Sequence, residues 1–328
     1  MEQQVTQIVY DDKLLRKRQG PFIKRFWRQR YLMVLVLPVV VWMLMFNYLP
    51  MLGLVMAFQN WNMFLGPIES FTQSPFVGLA NFVEALDDRF FINAFRNTVV
   101  YSLLNLIVGF PFPIIFAILL NEIVRTKFKR FVQTVSYLPH FISWVFVMTF
   151  TLIIFAADGG PVNIALMSVG AIDEPIPFLI TPAFVPPFVV FSQLWKSFGW
   201  NSIIYIAAIT SIDQTMYEAA TVDGAGRFSK IWHITLPSIK PTIVILLIFN
   251  IGGLISANFG MFEQMFLLEN GMIRSATEIL DTYVFRMGIG LTRFSYAAAV
   301  GVFRSVLAVI LLTMANFTAR RLTGESLF

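Results

Sequence analysis

Apolar residues run along this chain in stretches too long for one face of a soluble helix, separated by short segments where Lys, Arg, Gly and Pro collect. A bilayer core about 30 Å thick needs about 20 apolar residues at about 1.5 Å each. Six stretches reach that length, near 31–58, 98–120, 131–157, 184–212, 242–262 and 295–318. The pattern predicts an all-α integral membrane protein of six spans. The first stretch is too long for the core of a cleaved signal peptide and no small-residue cleavage pattern follows it, so it stays as a span. Pro38, Pro50, Pro111, Pro113 and Pro139 predict kinks that neighbouring helices must compensate. Gly159, Gly160 and a series of prolines from Pro161 to Pro187 predict an ordered, irregular loop with at most short helices.

Composition agrees with that pattern. Of 328 residues 57% are hydrophobic and 13% charged, about half the charge of an ordinary soluble domain. The absence of Cys excludes disulfides, thiolate metal sites and a Cys nucleophile, and His140 and His233 are too far apart for a His-based metal cluster. Lys and Arg divide unequally between alternate loops: 17 fall in the N-terminal tail, 121–130, 213–241 and the C-terminal tail, against 5 in 59–97, 158–183 and 263–294. Positive residues concentrate on the cytoplasmic side, which predicts cytoplasmic termini. The first 30 residues carry eight of these charges, with Phe22, Ile23, Phe26 and Trp27 on one helical face, the signature of a tail lying on an anionic leaflet rather than on nucleic acid.

The loop 213–241 is the most distinctive segment. Thr215 and Glu218 have the spacing of a capping box opening a short helix through Ala219 and Ala220. Gly224 and Gly226 stop that helix, and a second amphipathic turn from Phe228 to Leu236 is expected to end at Pro237, with Pro241 opening the next span. Small Ala residues beside an apolar edge of Phe228, Ile231 and Trp232 suit docking into a groove on a partner; a capped surface hairpin with no partner is the plainer reading.

Glu218, Ala219, Ala220, Gly224, Ile234, Leu236 and Pro237, with Asp223 and Gly226 between them, stand at the spacing Glu-Ala-Ala, three residues, Gly, nine residues, Ile, one residue, Leu-Pro. This string resembles the signature loop of permease subunits of binding-protein-dependent ABC importers. Gly78-Leu79, Asn81-Phe82, Asn97-Thr98, Leu138-Pro139 and Gly159 or Gly160 with Asn163 are similar to its carbohydrate branch, above all the polysaccharide and oligosaccharide permeases that include alginate importers. The resemblance implies six core helices in a bacterial inner membrane and a second, different permease as partner. It also implies two ATPase subunits gripping the 213–241 loop and an external solute-binding protein. ATP and Mg then belong to the ATPases. No phosphate loop occurs in this chain: Gly224-Ala-Gly226-Arg-Phe-Ser-Lys230 lacks the Gly-Lys pair, so this subunit is expected to be no enzyme and to hold no cofactor.

Lys196 and Arg304 fall inside predicted spans, where an unpaired charge costs about 2.5 to 3.5 kcal/mol. They are expected to face a wet cavity or to pair internally. Gln193, Trp195, Trp200, Asn201 and Tyr205 in the fourth span, and Asn250 and Asn258 in the fifth, are candidates with them for a path that handles sugars through ring faces, amides and hydroxyls. A cationic wall would favour acidic units. An ion-coupled secondary carrier would also explain buried cations but leaves the 213–241 string unexplained, and a polytopic membrane enzyme would need convergent acids or His at one membrane face.

Overall fold

The structure, a computed structural model, describes residues 30–255 and 260–324. The basic tail and Asn258 lie outside the described residues. The fold among these is helical, its one extended pairing being an isolated antiparallel bridge between Gln59 and Phe76. The chain divides into two units at Val55 and Met56. In the first, α1 (Arg30–Met43) passes through a π turn at Leu44–Tyr48 and a 3-10 stretch, Leu49–Phe58, that runs past the division. Pro38 sits inside α1, and the segment is apolar all round, as a helix surrounded by lipid must be.

The second unit begins its long helices at Asp88, whose Oδ1 accepts the Phe90 amide at 2.8 Å and caps α2 (Arg89–Leu104). A π turn at Asn105–Gly109 joins α2 to α3 (Pro111–Asn121). Pro111 and Pro113 lack donors and crowd the preceding carbonyls, and the wide turn just before them absorbs both defects. One helix therefore runs from Arg89 to Asn121, starting well before the expected 98.

The expected span 131–157 is broken. Helix α4 (Thr126–Tyr137) ends in a 3-10 turn at Leu138–Phe141, and α5 (Trp144–Ile154) leaves at 92°. Pro139 is disfavoured deep in an α-helix, Ile142 is extended, and Ser143 caps the new helix. The bend leaves carbonyls without helical donors. Lys196 of α6 (Val185–Thr210) supplies one: its Nζ donates to the carbonyls of His140 (2.7 Å), Pro139 (3.4 Å) and Ile142. Helices α6 and α4 meet so closely at Gly199 that a Cβ there would stand 2.1 Å from the Ser136 carbonyl oxygen.

Helix α7 (Gln214–Val222) follows α6. From Arg227 the chain is then helical without a break to Gly252, through a π turn at Ile231–Thr235 and into α8 (Leu236–Gly252). This overturns two expectations. Pro237 does not end a helix, because it falls in the first turn of α8 where its missing donor is covered by the preceding π turn, and Pro241 is carried inside the helix. The span predicted at 242–262 stops at the Gly252–Gly253 pair.

Beyond it, α9 (Met261–Leu268) and α10 (Leu280–Phe285) fold back where a plain loop was expected. Met261, Met265, Leu268, Ile273 and Ile279 are buried with Trp144, Val147, Met148, Val185, Val189 and Tyr101 in one cluster. The Asn97 amide donates to the carbonyls of Ser275 and Glu278 (each 2.9 Å), and Thr98 accepts the Leu280 amide at 2.8 Å, which ties this return segment to α2. Helix α11 (Phe294–Thr323) closes the chain with Arg320 and Arg321 in its last turn.

Among the described residues four helices are long and apolar enough to cross a membrane, and the bent pair α4–α5 would make a fifth. At 26 residues α6 is long enough, but Ser192, Gln193, Lys196, Ser197 and Asn201 make it more polar than the others. Gly199→Ala should lower the thermal unfolding temperature of the purified protein in detergent, by an amount equivalent to about 1 to 3 kcal/mol of overpacking. Gly301→Ala, in α11 with no atom within 4 Å of the new carbon, should not. Equal behaviour of the two would contradict the close approach of α4 and α6.

Candidate functional site

Two features stand out in the second unit: the helical hairpin after α6 and an open cavity between α2, α6 and α8. In the hairpin, Asp213 Oδ1 accepts the Thr215 amide at 3.0 Å and starts α7. The expected cap by Thr215 and Glu218 is therefore replaced by Asp213 two residues earlier, and Glu218 stands exposed with no hydrogen bond or ion pair among the described residues. Hydrogen bonds from Thr215 hold the Asp213 carboxyl below its usual range.

The far end of α7 closes as a Schellman motif: the Ala225 amide donates to the Ala220 carbonyl at 2.8 Å and the Gly224 amide to that of Thr221 at 3.1 Å. Gly224 holds φ at +77°, a conformation that glycine adopts without strain. Gly226 is then the N-cap of Arg227–Lys230, and Lys230 Nζ donates back to Thr221 Oγ1 at 2.7 Å.

The hairpin has a buried base and an exposed edge. Tyr217 and Thr235 hydroxyls meet at 2.9 Å, and Tyr217, Ile231, Ile234 and Leu236 pack on Ile209, Ile212, Ile239 and Tyr205. Ile231 thus turns inward and is not part of the outer edge. That edge consists of Val222 (88% exposed), Phe228 (77%), Trp232 (60%) and Met216 (46%), with the Phe228 and Trp232 rings stacked at 6.4 Å. Ala219, Asp223 and Gly226 are exposed beside it and Ala220 half-buried; Pro237 is exposed at the start of α8.

The cavity measures about 510 Å³ and is open to one side. It brings together Gln193, Asn201 and Tyr205 of α6 and Asn250 of α8, with Ser102 and Asn105 from the α2 side and Ser197 on α6, which the sequence reading did not select. Their signal was available: Ser102 and Asn105 interrupt an apolar run, and Ser197 lies four residues from both Gln193 and Asn201. Ser197 donates to the Gln193 carbonyl at 2.7 Å and Asn250 to that of Leu246 at 2.8 Å.

Other candidates lie elsewhere. Lys196 caps the α4–α5 break with its ammonium 5.5 Å from the centre of the Trp144 ring, and Trp200 stacks on His140 at 4.4 Å. Trp195 is two-fifths exposed away from the cavity. Arg304 forms an ion pair with Asp281 of α10.

Residues 93–324 match the family described as binding-protein-dependent transport system inner membrane component. The chain belongs to this family. It is a transport component, and its architecture is that of an ABC-importer permease. Protein LplB of Bacillus subtilis (strain 168) is 42% identical over 92% of each chain. The polygalacturonan/rhamnogalacturonan transport system permease protein YteP of the same organism is 41% identical over 95% of this permease and 94% of that one. A chain of a bacterial alginate ABC transporter, solved in complex with an alginate pentasaccharide-bound periplasmic protein, superposes with a TM-score of 0.83 at 36% identity, over 94% of this chain and all of that one.

Asp213→Ala should reduce hydrogen-exchange protection, corrected for intrinsic rates, at Thr215 and Met216, whereas Glu218→Ala should leave it unchanged. Because the folded Asp213 carboxyl is depressed, its capping is complete above the ordinary carboxylate range and is lost as pH falls through the lowered value. Protection that responds to Glu218 and not to Asp213 would contradict this assignment.

Proposed function

We propose that this permease forms half of the translocation pathway of an ATP-driven importer for an oligosaccharide or polysaccharide, with an acidic, alginate-like chain as the substrate class. The observation that carries the reading is the hairpin: all seven family positions fall in it, its base is packed into the helix bundle, and its apolar edge is exposed. A helix with such an edge fits a groove on a soluble partner. Two ATPase subunits, holding ATP and Mg, dock on residues 213–241 and drive alternating access. A second permease, of different sequence, supplies the other half of the path, and a solute-binding protein delivers the saccharide from outside.

The excess of Lys and Arg in the tails and in alternate loops supports cytoplasmic termini and hairpin in a bacterial inner membrane. Residues 1–30 and 319–328 are then cytoplasmic tails around a six-span domain. The substrate class draws on the polygalacturonan permease and the alginate importer among the relatives. The cavity lined by Gln193, Asn201, Tyr205 and Asn250 is the substrate path. Its amides and hydroxyls suit sugars.

Co-purification of an ATPase subunit with this permease tests the docking. Phe228→Ala with Trp232→Ala should reduce the bound ATPase several-fold at matched expression. Gly224→Val, which strains the bend without a steric neighbour, should uncouple hydrolysis from uptake or release the ATPase. Full binding and uptake in both variants would refute docking on this hairpin.

A further inference from the structure

Two intramembrane cations suggested a path that attracts carboxylates, but both are engaged elsewhere. Lys196 is directed at three backbone carbonyls of the α4–α5 break, and Arg304 at Asp281. Neither lines the cavity, and no Asp, Glu, Lys or Arg is among its described lining residues.

The wall is instead a neutral stripe. On α6, Gln193, Ser197, Asn201 and Tyr205 recur every four residues, covering about 18 Å of helix at about 1.5 Å per residue. Four buried side-chain oxygens lack a hydrogen-bond donor among the described residues, on Gln59, Gln193, Gln264 and Asp281. Of these only Gln193 lines the cavity, and it is 7% exposed. A buried amide oxygen without a donor costs stability unless something fills the role. It repels a carboxylate and pairs with a hydroxyl.

We infer that Gln193 is a specificity-determining residue of the translocation path, its buried carboxamide oxygen accepting a hydroxyl of the passing saccharide and not a carboxylate. The inference rests on the cavity being the substrate path. Carboxylates of an acidic substrate then lie away from Gln193. A site built to hydrogen-bond a hydroxyl discriminates strongly when the pairing is lost, because the buried polar group is left alone.

The test uses the complete importer in proteoliposomes with trigalacturonate and its uncharged methyl ester as probes, and with binding-protein-stimulated ATP hydrolysis as the check on assembly. Gln193→Leu should cut uptake about tenfold for each probe the wild type carries, while stimulated hydrolysis persists. Gln193→Glu should depress trigalacturonate more than the ester, since it adds a negative charge to an uncharged path that an anion must cross. Ser197→Trp, which fills the cavity, should block both. Unchanged uptake with Ser197→Trp would remove the cavity as the path and the proposal with it. A block by Ser197→Trp beside Gln193→Leu uptake within about twofold of wild type would leave the path standing and overturn the role of Gln193. Selective loss of trigalacturonate with Arg304→Gln would overturn the neutral wall.

Discussion

A polar group inside this bundle must find its partner inside the bundle, and that constraint shapes everything around it. Water is not at hand for a bent helix in an apolar surrounding, so each carbonyl freed by a break needs a donor from another element. At the α4–α5 bend the donor is the Lys196 ammonium, which reaches the carbonyls of Pro139, His140 and Ile142 together. Trp144 packs against the same ammonium and Trp200 stacks on His140, so the bend is fixed from both sides. With Gly199 letting α4 lie directly on α6, a charge that looked costly becomes the fastening of a 92° turn. Arg304 and Asp281 apply the same rule between α11 and α10.

The hairpin and the cavity are connected through one packed cluster. Tyr217, Ile231, Ile234 and Leu236 at the base of the hairpin share it with Tyr205 and Phe110, and those two residues also line the cavity. Close-packed interiors move as units and do not deform smoothly. A displacement of the hairpin therefore has a direct mechanical route to the wall of the path. The Schellman closure at Gly224 and the bond from Lys230 to Thr221 make the hairpin stiff enough to act as a lever.

Much of this was legible in the sequence because long apolar runs and the Glu218 to Pro237 string are local signals. Both the helical class and the glycine bend follow from them. Misreadings occurred where a local rule had a non-local remedy. Pro139 predicts a kink, but its consequence depends on a lysine 57 residues away. Pro237 and Pro241 looked like helix boundaries, yet a π turn before them keeps the helix continuous. The capping box at Thr215 and Glu218 lost to Asp213 because the helix starts two residues sooner than the box requires. Arg304 was a candidate for substrate because its partner, Asp281, lies in a segment whose return into the bundle has no local signal. That return is built from buried Met and Ile contacts and from Asn97 and Thr98.

The central claim is that the cations within the spans serve the architecture. Thermal unfolding of Asp281→Asn, Arg304→Gln and the double variant Asp281→Leu with Arg304→Leu, at matched detergent and pH, tests it most directly. The account predicts that each single change destabilises, since it strands a charge, and that the double apolar change recovers most of the loss. Single variants as stable as wild type would contradict it, and would return Arg304 to the substrate.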